Sequence, residues 1–281
     1  MRLLIFGFGY SAAAIARELR ARAEWIGGTI RDESRAAELR TAGVEPLAFG
    51  SPHASAALRH ATHVLVSLPP GQTGDPALAR HAEELRAAPE LRWIAYLSTV
   101  GVYGDRSGAW VDEDTPPDPS QPRTRARIEA EHAWHEVGKP LAIFRIAGIY
   151  GPGRNALVNL AEGTARRIVK PGQVFNRIHV ADLAAIVAAA LTREASGIFN
   201  VADDEPAPPQ DVVAFAAKLM GVAPPPEIDF AEADLTPMAR SFYSESRRVS
   251  NRRIKEELGI ALRYPTYRDG LTELWRSGIW R

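Results

Sequence analysis

Six short apolar runs recur along the first half of the chain: Leu3–Phe6, Trp25–Ile30, Val44–Leu47, Val64–Leu68, Trp93–Leu97 and Leu141–Ile146. Between them lie stretches with helical spacing, Ser11–Arg22, Asp32–Thr41, Pro76–Ala88 and Thr124–Val137. Strand, helix, strand at this cadence specifies βαβ units, and strands that are apolar on both faces must be covered by helices on both sides. Right-handed crossovers then leave an open, doubly wound parallel sheet as the topology.

After Tyr150 the pattern changes. Gly151-Pro152-Gly153 is a turn, and the spacing predicts a helix from about Asn155 to Lys170, then a strand over Val174–Ile178. Val180–Leu191 reads as a strongly apolar helix, and Ile198–Val201 as one more buried strand returning to the sheet. From Asp203 onward prolines accumulate, helices shorten and arginines increase. The expected organisation is therefore α/β. Residues 1–154 plus 178–204 form a Rossmann-type sheet domain, and 155–177 plus 205–281 a smaller C-terminal substrate lobe.

The first strand runs directly into Gly7-Phe8-Gly9-Tyr10-Ser11-Ala12, a GxGxxA turn opening the first helix. In that position the residues have defined jobs: Gly7 makes the tight turn, Gly9 admits a pyrophosphate to the backbone, and Ala12 permits close helix–sheet packing. The free N–H groups of the helix start then face the anion. Gly7, Phe8, Gly9, Tyr10 and Ser11, with Leu68 at the end of the fourth strand, are thus candidate cofactor-binding residues. An acidic residue ending the second strand would bind the adenine ribose of NAD. Here the strand ends at Arg31, which suits a 2′-phosphate and favours NADP over NAD. Asp32, immediately after it, reads as a helix N-cap.

Composition narrows the classes of partner. The 34 basic side chains balance 34 acidic ones, so no charge excess drives binding to nucleic acid or to a membrane surface. No cysteine is present, which removes disulfides, thiolate metal sites and cysteine nucleophiles, and fits a cytoplasmic location. Met1–Ala16 has the outline of a signal peptide, but its two glycines serve the strand–turn–helix reading better. No stretch approaches the ~20 apolar residues of a membrane span.

Several further segments occur in a familiar order. Leu97-Ser98-Thr99-Val100-Gly101-Val102-Tyr103-Gly104, Phe144-Arg145 through Tyr150-Gly151-Pro152-Gly153, Ile178-His179-Val180-Ala181-Asp182-Leu183-Ala184 and Gly197-Ile198-Phe199-Asn200-Val201 together resemble the extended short-chain dehydrogenase/reductases, the NAD-dependent epimerase/dehydratase group. The resemblance implies catalysis by a Tyr with a Lys four residues later, on the helix that carries Glu131. Here those slots hold Arg123 and Arg127, and no tyrosine of the chain has a lysine four residues on. Arg127 retains a charge for the nicotinamide ribose, and Thr99 stands in the family's Ser/Thr position. Arg123 cannot act as the acid–base group, because a guanidinium does not release its proton in proteins. The chain is expected to fall in an atypical subgroup. The resemblance also implies an Arg that binds diphosphate where this chain has Phe175.

Substitute proton carriers are Tyr103, Tyr150 and His179, and each also reads as a packing or helix-start residue. Arg166-Arg167, Arg240, Arg247-Arg248 and Arg252-Arg253 suit either an anionic substrate or a solvated face paired with Glu245, Glu256 and Glu257. Asp112-Glu113-Asp114 reads as a solvated loop bordering the cleft. His132 and His135 lack further ligands at metal spacing, so no metal site is expected. Two functions follow. One is an NADP-dependent oxidoreductase or epimerase/dehydratase on a small polar substrate; the other is a non-catalytic NADP(H)-binding sensor. Monomer and homodimer are equally compatible with the two charged helices Pro76–Ala88 and Thr124–Val137.

Overall fold

The structure, a computed structural model, describes residues 1–71 and 73–281. Seven strands form one sheet: β1 (Arg2–Phe6), β2 (Trp25–Ile30), β3 (Glu45–Ala48), β4 (His63–Val66), β5 (Trp93–Thr99), β6 (Leu141–Ile146) and β7 (Gly197–Val201). All pairings are parallel, and in these labels the order is β7-β6-β5-β4-β1-β2-β3. The order reverses between β1 and β4, and open α/β sheets bind their ligands outside the strand C-termini at such a switch point.

The helices are α1 (Tyr10–Leu19), α2 (Ala36–Thr41), α3 (Pro52–Arg59), α4 (Pro76–Ala87), α5 (Pro122–His135), α6 (Ala156–Ala161), α7 (Val180–Arg193), α8 (Pro209–Met220), α9 (Pro237–Tyr243), α10 (Arg252–Leu258) and α11 (Tyr267–Ser277). Strand alternation divides the core. Leu3 and Ile5 pack with Ile15 of α1 and Ile186 of α7, while Leu4 and Phe6 pack with Leu58 of α3, Leu85 of α4 and Trp134 of α5. Burying each such large apolar side chain contributes about 1.5–3 kcal/mol, so both layers are held mainly by apolar burial.

Beyond Ile146 the expectations need correction. The segment read as one helix over Asn155–Lys170 is the short α6, capped by the Asn155 carboxamide, followed by a strand at Arg167–Val169. Asn159 O accepts the amides of Thr164 and Ala165, and Gly163 turns with φ +67°, which together end the helix. The strand placed at Val174–Ile178 lies instead at Arg177–His179, parallel to Gly148–Tyr150. Asp32–Thr41 likewise divides into a single 3-10 turn at Glu33–Arg35, capped by Asp32, and α2. Two more short parallel ladders join distant segments: Arg167–Val169 with Glu227–Asp229, and Trp110–Val111 with Arg248–Val249. Among the described residues, no helix is long and apolar enough to cross a membrane.

Candidate functional site

The glycine turn sits between β1 and α1. Gly7 has φ +86°, and a Cβ there would stand 2.6 Å from Leu68 Cδ2, so Leu68 packs directly beneath the turn. The Gly7 amide donates to Thr29 Oγ1 at 2.8 Å and the Phe8 amide to Thr29 O at 3.0 Å, which ties the turn to the end of β2. Gly9 is extended, and a Cβ built on it meets nothing within 4 Å. No side chain caps α1 and its first turn holds no acid, so its leading amides and positive dipole end remain available to an anion. Phe8 points into the core and presents only its backbone. The Tyr10 hydroxyl donates to Pro152 O at 3.0 Å, closing this turn onto the one after Tyr150.

Arg31 is exposed, with its guanidinium 5.9 Å from the Phe49 ring. Sequence reasoning passed over Arg35, whose Nη1 donates to Phe8 O of the turn at 2.8 Å. Only its place one short turn beyond the strand could have signalled it.

Beside the turn, a cavity of about 760 Å³ opens at the C-terminal ends of β5 and β6 and is closed over by α9. Thr99, Arg123, Arg127 and Tyr150 all line it. Thr99 Oγ1 accepts the Gly101 amide at 3.1 Å and caps the turn Val100–Tyr103. Arg127 Nη1 donates to Leu97 O and to the Tyr96 hydroxyl, each at 3.0 Å. Arg123 reaches across the mouth, donating to Ser241 Oγ at 2.8 Å with its guanidinium 4.7 Å from the Phe242 ring. Both slots of the expected Tyr/Lys pair are thus cationic side chains on the cavity wall. Behind them Glu131 of α5 pairs with Arg145 of β6 at 2.8 Å and accepts from Ser98.

The three candidate proton carriers fare differently. Tyr103 is fully buried, off the cavity wall, and its hydroxyl donates to Asn200 Oδ1 at 2.7 Å. His179 caps α7 by accepting the Ala181 amide at Nδ1, packs against Tyr150 and Tyr264, and also lies outside the wall. Tyr150 contributes its ring, but its hydroxyl is aimed at α11: a Cβ on Gly270 would stand 2.1 Å from it. Burial holds the Tyr150 pKa well above its ordinary value.

Glu113 is a further correction. It is buried, its Oε1 accepts the Asn200 amide at 2.7 Å, and burial raises its pKa. Its flank Asp114 is exposed and pairs with Arg253. Of the late arginines, Arg247 is buried and bound to Glu245, Gly104 O and Val100 O, which rules out a solvated face for that pair. The cavity wall is mostly apolar. It includes Phe175, Phe242 and Tyr243, of which sequence reasoning singled out only Phe175. Arg177 was also missed, though its position two residues before His179 on one strand places both side chains on the same face. Among the described residues, no group of three or more His, Cys, Asp or Glu is arranged to hold a metal.

His179 supplies a test of its capping role. Burial, with the Arg263 charge adding to it, pulls its pKa from the ordinary 6.5 down to about 4. The unfolded chain therefore takes up this proton first, so the contribution is intact above pH 6.5 and lost as the pH falls to about 4. His63, held at about 4 chiefly by burial, acts in the same direction. His179→Asn retains a capping acceptor and removes one such group. Denaturant unfolding of the variant should lose less stability between neutral pH and pH 4 than the wild type; an unchanged slope would contradict this assignment.

No family model matches the chain. A 3-diazoavenalumate denitrifying reductase from a Streptomyces species is 27% identical over 96% of this chain and 99% of its own. The solved structure of a functionally unknown conserved protein from Silicibacter pomeroyi DSS is 49% identical, with a TM-score of 0.91 over 99% of both chains. A proposed NAD-dependent epimerase/dehydratase from Methylobacillus flagellatus is 27% identical, with a TM-score of 0.72 over 99% of this chain and 98% of that one. More distant structures of this fold, under 20% identical, include complexes with NAD and with NADPH. Sheet order and glycine turn together define a Rossmann-type α/β fold, the fold of these NAD- and NADPH-bound structures. Within that fold, the chain is similar to the NAD-dependent epimerase/dehydratase group of the extended short-chain dehydrogenase/reductases, as its sequence motifs suggest.

Proposed function

We propose that the protein is an NADPH-dependent reductase of a small molecule held in the 760 Å³ cavity. The observation that carries this reading is the absence of a base among the described lining residues. The titratable ones are Arg123, Arg127, Arg177, Arg247, Glu245, Tyr150 and Tyr243. Guanidinium groups hold their protons. Glu245 is occupied by Arg247 and by the Ser120 hydroxyl, and burial keeps both tyrosines neutral at ordinary pH. Epimerisation and dehydration by way of an oxidised sugar begin by taking a proton from a hydroxyl, which this wall cannot accept. Reduction ends by giving a proton, which neutral Tyr243 or water can supply. A pure sensor, the other reading, leaves the cavity without a use.

The open Gly9, the uncapped start of α1 and the Leu68-backed Gly7 fit a dinucleotide. In this reading the backbone of Gly7, Gly9, Tyr10 and Ser11 holds the pyrophosphate, Arg31 the 2′-phosphate, and Thr99 with Arg127 the nicotinamide ribose. When bound, NADPH supplies a hydride at the nicotinamide ring. The chain's own part is to orient that ring over the cavity, exclude water with α9, and hold the proton at Tyr243.

Arg31→Ala should weaken NADPH by about tenfold or more, as expected for a lost charge-assisted contact, and leave NADH unaffected. Calorimetry with both cofactors measures this, and an unchanged preference would reassign the phosphate to Arg35. The reaction itself is tested by NADPH consumption against a panel of aldehydes, ketones and unsaturated acids. Consumption matched by reduced product supports the reductase; tight NADPH binding with no acceptor reduced supports the sensor.

A further inference from the structure

We infer that the cavity takes an anion with a flat apolar body, an aromatic carboxylate in chemical class, with Arg177 receiving the carboxylate. The inference rests on the reading of this cavity as the substrate site.

The wall away from Thr99 is aromatic. Phe175 meets Tyr243 edge-on, with centroids 5.2 Å apart, and Tyr243 stacks on Phe230 at 5.2 Å. Phe242 stands 52% exposed on α9, with the Arg123 guanidinium over its ring. Ile146, Ile149 and Val174 complete an apolar slot.

Three of the polar side chains on that wall, Asn176, Thr124 and Arg247, already use their polar atoms within the protein. Asn176 donates to Arg247 O and accepts the Val249 amide. Thr124 donates to Gln121 O, and Arg247 is bound through all three nitrogens. A polyhydroxylated sugar entering here would lose water and find few replacement partners, which is costly for each hydroxyl.

Arg177, on the aromatic side of the cavity, is less committed. Its Nη1 donates to Phe175 O at 2.9 Å and Ala207 O at 3.2 Å, and its remaining nitrogens make no hydrogen bond among the described residues. No carboxylate stands within 4.0 Å of it there; burial pushes the pKa of the nearby Asp203 up to about 8, against the pull of the Arg177 charge. A fixed guanidinium edge with no carboxylate in ion-pair contact, beside an aromatic slot, matches a planar carboxylate.

The test is calorimetric titration of 2-naphthoate, of uncharged 2-naphthylmethanol and of UDP-glucose into the intact protein, with and without NADPH. Naphthoate should bind about tenfold or more tightly than the alcohol, as a charge-assisted contact requires. Arg177→Met should erase that difference. Phe242→Ala, on the surface and therefore safe for folding, should weaken both aromatic probes several-fold and preserve their ratio. Equal binding of naphthoate and naphthylmethanol would overturn the anion site, and tighter binding of UDP-glucose would overturn the apolar slot. Failure to bind NADPH would instead sink the reductase reading, while naphthoate binding to the free protein would still report on this slot.

Discussion

Gly9→Asp should abolish dinucleotide binding while leaving the protein as stable as before, or slightly more so. Gly9 is the N-cap of α1 with φ −111°, a conformation open to any residue, and its Cβ position is unobstructed. Asp is among the best N-caps and would contribute roughly a few tenths of a kcal/mol over Gly by accepting the leading amides of α1. Those same amides are the proposed pyrophosphate site, so the substitution fills it with a fixed carboxylate. Losing two charge-assisted contacts amounts to about 3 kcal/mol or more, roughly a hundredfold in NADPH affinity, before repulsion is added. Calorimetry and thermal unfolding on the same sample read both effects. Retained NADPH affinity in a folded Gly9→Asp protein would place the cofactor elsewhere.

Glu131→Ala should destabilise the protein by about 3–5 kcal/mol, because it leaves a buried guanidinium without its partner. Both side chains of the Glu131–Arg145 pair are 3% exposed, and Ser98 donates to the same carboxylate. Ser98 and Arg145 are register neighbours on β5 and β6, so this one carboxylate binds two central strands to α5. That is also the helix bearing Arg123 and Arg127. Replacing both partners together, Glu131→Leu with Arg145→Met, should recover much of the loss, since an apolar pair of similar volume has no stranded charge. Urea unfolding decides it. A loss below about 1 kcal/mol for the single variant would mean the pair is solvated.

What the sequence made legible follows from where the deciding contacts lie. The sheet strands were readable because a strand covered on both faces needs an unbroken apolar run, and such runs are local. The glycine turn was readable because φ +86° at Gly7 and the open approach at Gly9 are demands on single residues. Glu113 was not, because its partners Asn200 and Arg253 lie far along the chain and nothing near it announces burial. The same holds for Tyr103 and His179: residue type and strand-end position suggested chemistry, but Asn200 and the start of α7 use their polar atoms. The aromatic wall of α9 escaped notice because Phe242 and Tyr243 become a cavity wall only once α9 folds back over β5 and β6.

The account stands on the nicotinamide facing a pocket whose described wall offers no free base. A crystal structure of the NADPH complex tests this most directly. The account predicts the reactive face of the nicotinamide open to the cavity, with Thr99 and Arg127 at the ribose and Phe175 and Tyr243 across the pocket. A nicotinamide ring packed only against apolar side chains, with no space opening beside its reactive carbon, would contradict it.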